Sequence, residues 1–247
     1  MNQELNKEVI LSYLTEDAPF LTVLDTVDST NTEAKRLLAQ GLTSDRVILA
    51  DCQTQGRGRL GKSFYSPKGS GLYMSLMMEH SLSVEELSLV TPFAAVAAYD
   101  AIVAVCGVEP EIKWVNDLYL HGKKICGILT ELVENTLIIG VGINCTTVFD
   151  GELSAIAGSL NAEGIRCRLA AELVGRLRNL KQAMQEKTFL ITYRERSMLI
   201  GKTVTIVGED GCYTVTGIGD WGELQLRSMN GNIRELRCGE VSVALIK

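Results

Sequence analysis

The chain of 247 residues has only two histidines, two tryptophans and four prolines, and its seven cysteines include no C-x-x-C pair. The closest cysteines, Cys126 and Cys145, stand 19 positions apart, which fits neither zinc-ligand nor redox-motif spacing. His80 and His121 are isolated, so no histidine-based metal site or nucleophile–base pair is encoded. Long apolar runs are also missing. The longest, Phe93–Cys106, has 14 residues broken by Asp100, too few to span a bilayer. The first residues show no basic segment leading into an apolar one, so no leader peptide is recognised. A basic surplus is absent as well: the formal net charge is -6, which argues against a general nucleic-acid binder.

What is present is an ordinary globular balance. With 46% apolar and 22% charged residues, the chain is too hydrophobic to be disordered and long enough to bury a large core. Its 23 glycines show no period, which excludes a collagen-like repeat. The odd number of cysteines, several inside runs such as Ala104-Val105-Cys106, reads as buried free thiols in a reducing cytoplasm. The negative charge is local. Residues 1–33 carry seven acids against Lys7 alone, and the remaining residues sum to zero. Any cationic site must therefore be built locally.

Periodicity and turn signals predict a helix over 1–15, a strand at 21–25, and a helix from Thr30, with Thr30 as N-cap and Glu33 completing a capping box. Strands are expected at 46–52, 72–78, 111–114 and 136–144, and a hairpin at 117–120 and 123–132 around His121-Gly122. Helices are expected at 83–106, broken near Pro92, at 166–186 and at 188–198. Five short strand-like runs between 203 and 246 suggest a small barrel. This divides the chain into domains 1–198 and 199–247.

Two segments concentrate polar chemistry. Residues 53–71 form a loop with five glycines and the cations Arg57, Arg59, Lys62 and Lys68, with no acid between Asp51 and Glu79. Gly56-Arg57-Gly58-Arg59-Leu60-Gly61 fits G-x-G-x-x-G, but Ser66-Pro67 and Gly69 soon after leave no helix to receive a pyrophosphate. The loop reads either as a solvated basic turn or as an anion-binding loop that orders on its ligand, and glycine-flanked arginines favour the second. The second segment is Lys113-Trp114-Val115-Asn116-Asp117. If it is extended, Lys113, Val115 and Asp117 share a face, and after the turn Cys126, Ile128 and Thr130 continue the face of Lys124. A surface hairpin with snorkelling lysines fits these residues equally well. By residue type alone, Thr30 is a cap, and Gly140-Val141-Gly142-Ile143-Asn144 is a close-packed strand end.

Taken in order, Asp28-Ser29-Thr30-Asn31-Thr32-Glu33-Ala34, Gln53-Thr54-Gln55-Gly56-Arg57-Gly58-Arg59-Leu60-Gly61, Ser66-Pro67-x-Gly-x-Gly-Leu-Tyr-x-Ser75, Lys113-Trp114-x-Asn116-Asp117, Lys124-x-x-Gly127-Ile128-Leu129-x-Glu131 and Gly140-x-Gly-Ile-Asn144 resemble the biotin–protein ligase family. The resemblance implies an α+β fold. A mixed β-sheet catalytic domain packed with helices, like that of class II synthetases, would carry a small C-terminal SH3-like barrel. It implies activation of biotin by ATP, with Mg2+, to biotinyl-5'-AMP, followed by transfer to a lysine of a biotin carboxyl carrier domain of a biotin-dependent carboxylase. Lys124, Arg59 and Asp117 would carry the catalysis, with Asp117 orienting or deprotonating the acceptor lysine. Ser29, Thr30, Asn31 and Gln53 would contact biotin. Gly56, Arg57, Gly58 and Arg59 would form the loop over the adenylate. Lys113, Trp114, Asn116, Lys124, Gly127 and Asn144 would complete the binding set.

The sequence departs from the family pattern at Val115, Phe64 and Leu60, where proline, tryptophan and a third basic residue are usual. Only 27 residues precede Asp28 and they are acidic, so the resemblance is to the short form without a DNA-binding domain, with no nucleic acid or membrane as partner. A homodimer through the sheet around 136–144 is compatible with this reading. A lipoate or octanoate ligase and a non-catalytic biotin sensor are the competing readings.

Overall fold

The computed structural model describes residues 4–14, 20–42 and 45–244. The chain opens with α1 (Lys7–Tyr13), whose N-cap Asn6 accepts from the Val9 amide at 2.9 Å. Then come β1 (Phe20–Val27), α2 (Thr30–Ala39), β2 (Arg46–Gln53) and β3 (Gly71–Glu79). Next are α3 (Val84–Leu87), α4 (Val90–Cys106), β4 (Glu111–Lys113), β5 (Asp117–Leu120), β6 (Lys123–Val133) and β7 (Thr136–Asn144). Four helices follow: α5 (Leu153–Ile156), α6 (Arg166–Arg178), α7 (Leu180–Glu186) and α8 (Phe189–Glu195). The chain finishes with β8 (Thr203–Ile206), β9 (Tyr213–Ile218), β10 (Leu224–Ser228), β11 (Ile233–Leu236) and β12 (Val241–Val243).

The first seven strands form one mixed sheet in the order β1-β2-β3-β7-β6-β5-β4, in which only β1 and β2 run parallel. Strand alternation sends Leu49, Leu76 and Ile139 to one face, which packs on α4 and α6 within the main core. Ile48, Met77 and Ile138 point the other way and meet Ala34 of α2. Helix α4 is apolar on nearly its whole circumference, because it is covered by the sheet on one side and by α6 and α8 on the others. The second sheet is antiparallel, in the order β11-β10-β9-β8-β12. The fold is thus α+β, as expected.

Several local expectations need correction. Thr30 is the first residue of α2 rather than its cap. Ser29 holds the N-cap position without a side-chain capping bond, and the Thr30 hydroxyl is engaged with Gln53 and Ser75. The break in the 83–106 helix falls before Val90, not at Pro92. Pro92 sits in the first turn of α4, where a helix has no use for its missing N–H. The 166–186 helix is interrupted at Asn179, which closes α6 and opens α7. Residues 113–117 are not continuously extended. The chain reverses after Lys113, and Lys113 and Asp117 pair across the β4–β5 hairpin.

Strand β7 is paired on both edges, to β3 and β6, and eight of its nine residues are buried. The thiols are only partly buried: Cys126, Cys145 and Cys167 lie in the interior, while Cys238 is exposed. No helix among the described residues is long and apolar enough to cross a membrane.

Candidate active site

A cleft of about 380 Å³ opens on the α2 face of the seven-stranded sheet. Its floor is glycine. Gly127 and Gly142 pair across β6 and β7, and Gly140 pairs with Leu129. Side chains could not be added there: a Cβ on Gly140 would lie 2.2 Å from Asn31 Oδ1, and one on Gly142 would lie 2.5 Å from the Phe64 ring. The missing side chains let Asn31 and Phe64 lie directly on the strands.

One end of the cleft is a chain of hydrogen bonds among the neutral side chains of Thr30, Asn31, Gln53, Ser66 and Ser75, anchored on the carboxylate of Glu131. The Gln53 amide oxygen accepts from the Thr30 N–H at 2.8 Å and from its hydroxyl at 3.2 Å. The Gln53 amide nitrogen donates to Ser66 Oγ at 2.9 Å. Ser75 Oγ lies 2.7 Å from Thr30 Oγ1 and 2.6 Å from Asn31 Oδ1. Asn31 Nδ2 donates to the Leu129 carbonyl and to Glu131 Oε2, at 3.2 and 2.9 Å. Interlocking of this kind fixes the amide orientations. Gly56 does not line the cleft. It is buried behind the wall, where a Cβ would meet the Phe64 carbonyl and Ser66 Oγ, so its place is to admit the Gln53–Ser66 contact.

The other end is ionic. Lys124 Nζ lies 2.7 Å from Asp117 Oδ1. Arg59 donates to Asn116 Oδ1 at 3.2 Å and to the Gly239 carbonyl at 3.3 Å, and Asn116 is itself held by the Ile128 carbonyl. Lys113 approaches the Tyr119 ring, 5.6 Å from its centroid. Burial raises the Tyr119 hydroxyl to about 12, so it stays protonated at neutral pH. Trp114 is buried along one side and donates its indole N–H to the Gly222 carbonyl at 2.9 Å. Asn144 closes the far side and donates to the Gly158 and Lys124 carbonyls.

The gathering of Lys124, Asp117 and Gly127 depends on a bulge. Leu118 pairs with Cys126 but Tyr119 pairs with Lys124, which leaves Ile125 as the extra residue. The bulge reverses the alternation. Lys124 therefore shares its face with Gly127, whose Cβ position is 3.1 Å from Lys124 Cε, and not with Cys126, Ile128 and Thr130. Those three point to the other face, where Cys126 and Ile128 enter the core and Thr130 meets Thr91 of α4.

The arginine loop lies over the cleft with each cation engaged. Arg57 meets Glu131, Arg59 meets Asn116, and Lys62 meets Glu240, whose carboxyl is held below its usual range by the Lys62 ammonium. Lys68 points away from the cleft to Asp25. Every expected site residue except Gly56 lines the cleft. Ser75, Ser66, Glu131 and the Gly239-Glu240 turn were not among the expected site residues. The first three stand in or beside the motifs above, whereas Gly239 meets Arg59 across 180 positions and leaves no local signal. Among the described residues no group of three or more His, Cys, Asp or Glu converges.

The biotin/lipoate A/B protein ligase family model matches residues 23–147. The bifunctional ligase/repressor BirA of Bacillus spizizenii is 37% identical over 145 residues, which make up 56% of this chain and 45% of that protein. The matched segment thus spans less than half of that relative. A biotin–[acetyl-CoA-carboxylase] ligase of Mycobacterium tuberculosis is 30% identical over 235 residues, covering 90% of this chain and 88% of that one. Among solved structures, the biotin protein ligase of Aquifex aeolicus in complex with biotin and ATP superposes with a TM-score of 0.77 at 27% identity, covering 91% of this chain and 98% of the other.

Proposed function

The chain belongs to the biotin/lipoate A/B protein ligase family, and from that premise we propose that it activates biotin with ATP and transfers it to a lysine of a biotin carboxyl carrier domain. One observation carries the reading: a single cleft joins a rigid, neutral hydrogen-bonding end to a cationic end. Biotin has the matching form, a neutral ureido ring at one end and a carboxylate at the other. Ser29, Thr30, Asn31 and Gln53 would read the ring. Lys124 and Arg59 would face the carboxylate and the α-phosphate.

In the first step a carboxylate oxygen attacks the α-phosphorus, and pyrophosphate leaves. Two anions must approach, so cations fixed where charge accumulates lower the barrier. In the second step the acceptor amine attacks the acyl carbon and AMP leaves. Asp117, released as Lys124 turns to the adenylate, is placed to take the amine proton. The loop of Arg57, Gly58 and Arg59 would cover the mixed anhydride and exclude water. Mg2+ would arrive with the ATP phosphates. No step here is routed through it.

The reading includes a division at residue 199 into a catalytic unit and an SH3-like unit, supported by the second sheet beginning at Thr203. It also includes a cytoplasmic location, supported by seven free thiols, and no nucleic-acid partner, supported by loop cations already engaged within the protein.

The test is ATP-dependent formation of labelled biotinyl-5'-AMP and its transfer to a carrier-domain fragment, run beside lipoate. Lys124→Ala should lower adenylate formation by about 10²–10³-fold. Activity with lipoate alone, or full activity of Lys124→Ala, overturns the assignment.

A further inference from the structure

Glu131 lies on β6 outside the cleft lining, yet its carboxylate holds three segments together. Oε2 accepts from Asn31 of α2 at 2.9 Å and from Arg57 of the loop at 3.2 Å, and Oε1 accepts from Lys35 at 2.7 Å. Only 19% of the side chain is exposed. Burial opposes its charge, but Lys35, Asn31 and Arg57 together hold the carboxyl below its usual range, so it is ionised at neutral pH.

A carboxylate can only accept, and it therefore dictates which end of the Asn31 amide faces it. Nδ2 must turn to Glu131, and Oδ1 is left to receive the Ser75 hydroxyl. The same carboxylate is the docking point of the first arginine of the loop. We propose that Glu131 is a positioning residue for biotin. By docking Arg57 on the carboxylate that orients Asn31, it makes closure of the arginine loop and presentation of the biotin-reading amide a single event. The inference rests on the functional reading above and deepens it. No other described acidic side chain bonds both the loop and α2 at this end of the cleft.

Glu131→Gln keeps the shape and one acceptor oxygen but removes the charge. In the full chain it should weaken biotin binding about tenfold, the loss of a charge-assisted hydrogen bond. It should leave kcat of adenylate formation at saturating biotin within about twofold, because the bond is made equally in ground and transition states. Trypsin should cut after Arg57 and Arg59 several-fold faster in the absence of ligand. Glu131→Asp, which retains the charge, should recover part of the affinity.

Arg57→Ala should weaken biotin to a similar extent. The double variant Glu131→Gln/Arg57→Ala should bind no more weakly than the weaker single, since both remove one link. Biotin affinity unchanged in Glu131→Gln, or losses that multiply in the double variant, overturn the proposal. Should Glu131→Gln fail to fold, unchanged affinity in Arg57→Ala overturns it alone. A wild-type chain that binds no biotin overturns the functional reading, and this inference with it.

Discussion

Substituting Gly140 by alanine tests the glycine floor of the cleft with the smallest available change. The new methyl group would sit 2.2 Å from Asn31 Oδ1, 2.9 Å from its Cγ and 3.0 Å from its Nδ2, whereas ordinary contact begins at 3.4 Å. Strand β7 cannot give way, because Gly140 pairs with Ser75 on one side and Leu129 on the other. The amide of Asn31 must therefore retreat by about 1 Å, a displacement that a packed interior resists. That movement breaks its bonds to Ser75, Leu129 and Glu131. At about 1 kcal/mol net for each, the loss is about 3 kcal/mol, or about 6–12 °C in Tm for a domain of this size. Biotin affinity should fall by at least about tenfold, because the reading group is misplaced.

Differential scanning calorimetry and a biotin titration read the two effects separately. In an Asn31→Ser background the clash has no partner, so Gly140→Ala should cost little further stability, while affinity stays low in both. An equal Tm penalty in the two backgrounds, or a wild-type Tm and affinity for Gly140→Ala, refutes the steric account.

Three further outcomes are expected. Trp114→Phe orphans the buried Gly222 carbonyl that ties the second sheet to the first. It should cost about 1–3 kcal/mol, visible as a lower Tm with no second transition. The Glu131 carboxyl titrates below the ordinary glutamate value of 4.5, so its contribution to stability is complete above that pH and is lost as pH falls through the folded value. Glu131→Gln should accordingly flatten the decline of stability below pH 4.5, read as Tm against pH. Of the seven thiols, Cys238 should react first with a thiol reagent in the native state, and Cys126, Cys145 and Cys167 only on unfolding; simultaneous labelling of all seven would contradict the burial described here.

Every strand in the structure could be read from the sequence, because β-branched runs such as Val47-Ile48-Leu49 and Thr136–Ile139 alternate with glycine and asparagine turns. Most of the cleft was legible too, through motifs whose members stand close in sequence. What escaped depends on partners far along the chain. The hydroxyl of Thr30 has a capping sequence around it, and only Gln53, 23 positions on, shows why it does not cap. Asn179 carries no strong helix-breaking signal, so α6 and α7 read as one helix. The Gly239-Glu240 turn reaches the arginine loop by tertiary packing alone.

The bulge at Ile125 sets a condition of odd and even. Tyr119 stands two residues from Asp117 on β5 and Lys124 three residues from Gly127 on β6, and the two strands still match because Ile125 is set aside from the ladder. Were Ile125 drawn into regular pleating opposite Tyr119, Lys124 would fall on the face of Cys126, turn toward the core and leave Asp117 without its partner. No group that does chemistry would have been altered. The site is thus guarded by strand register as well as by residue identities.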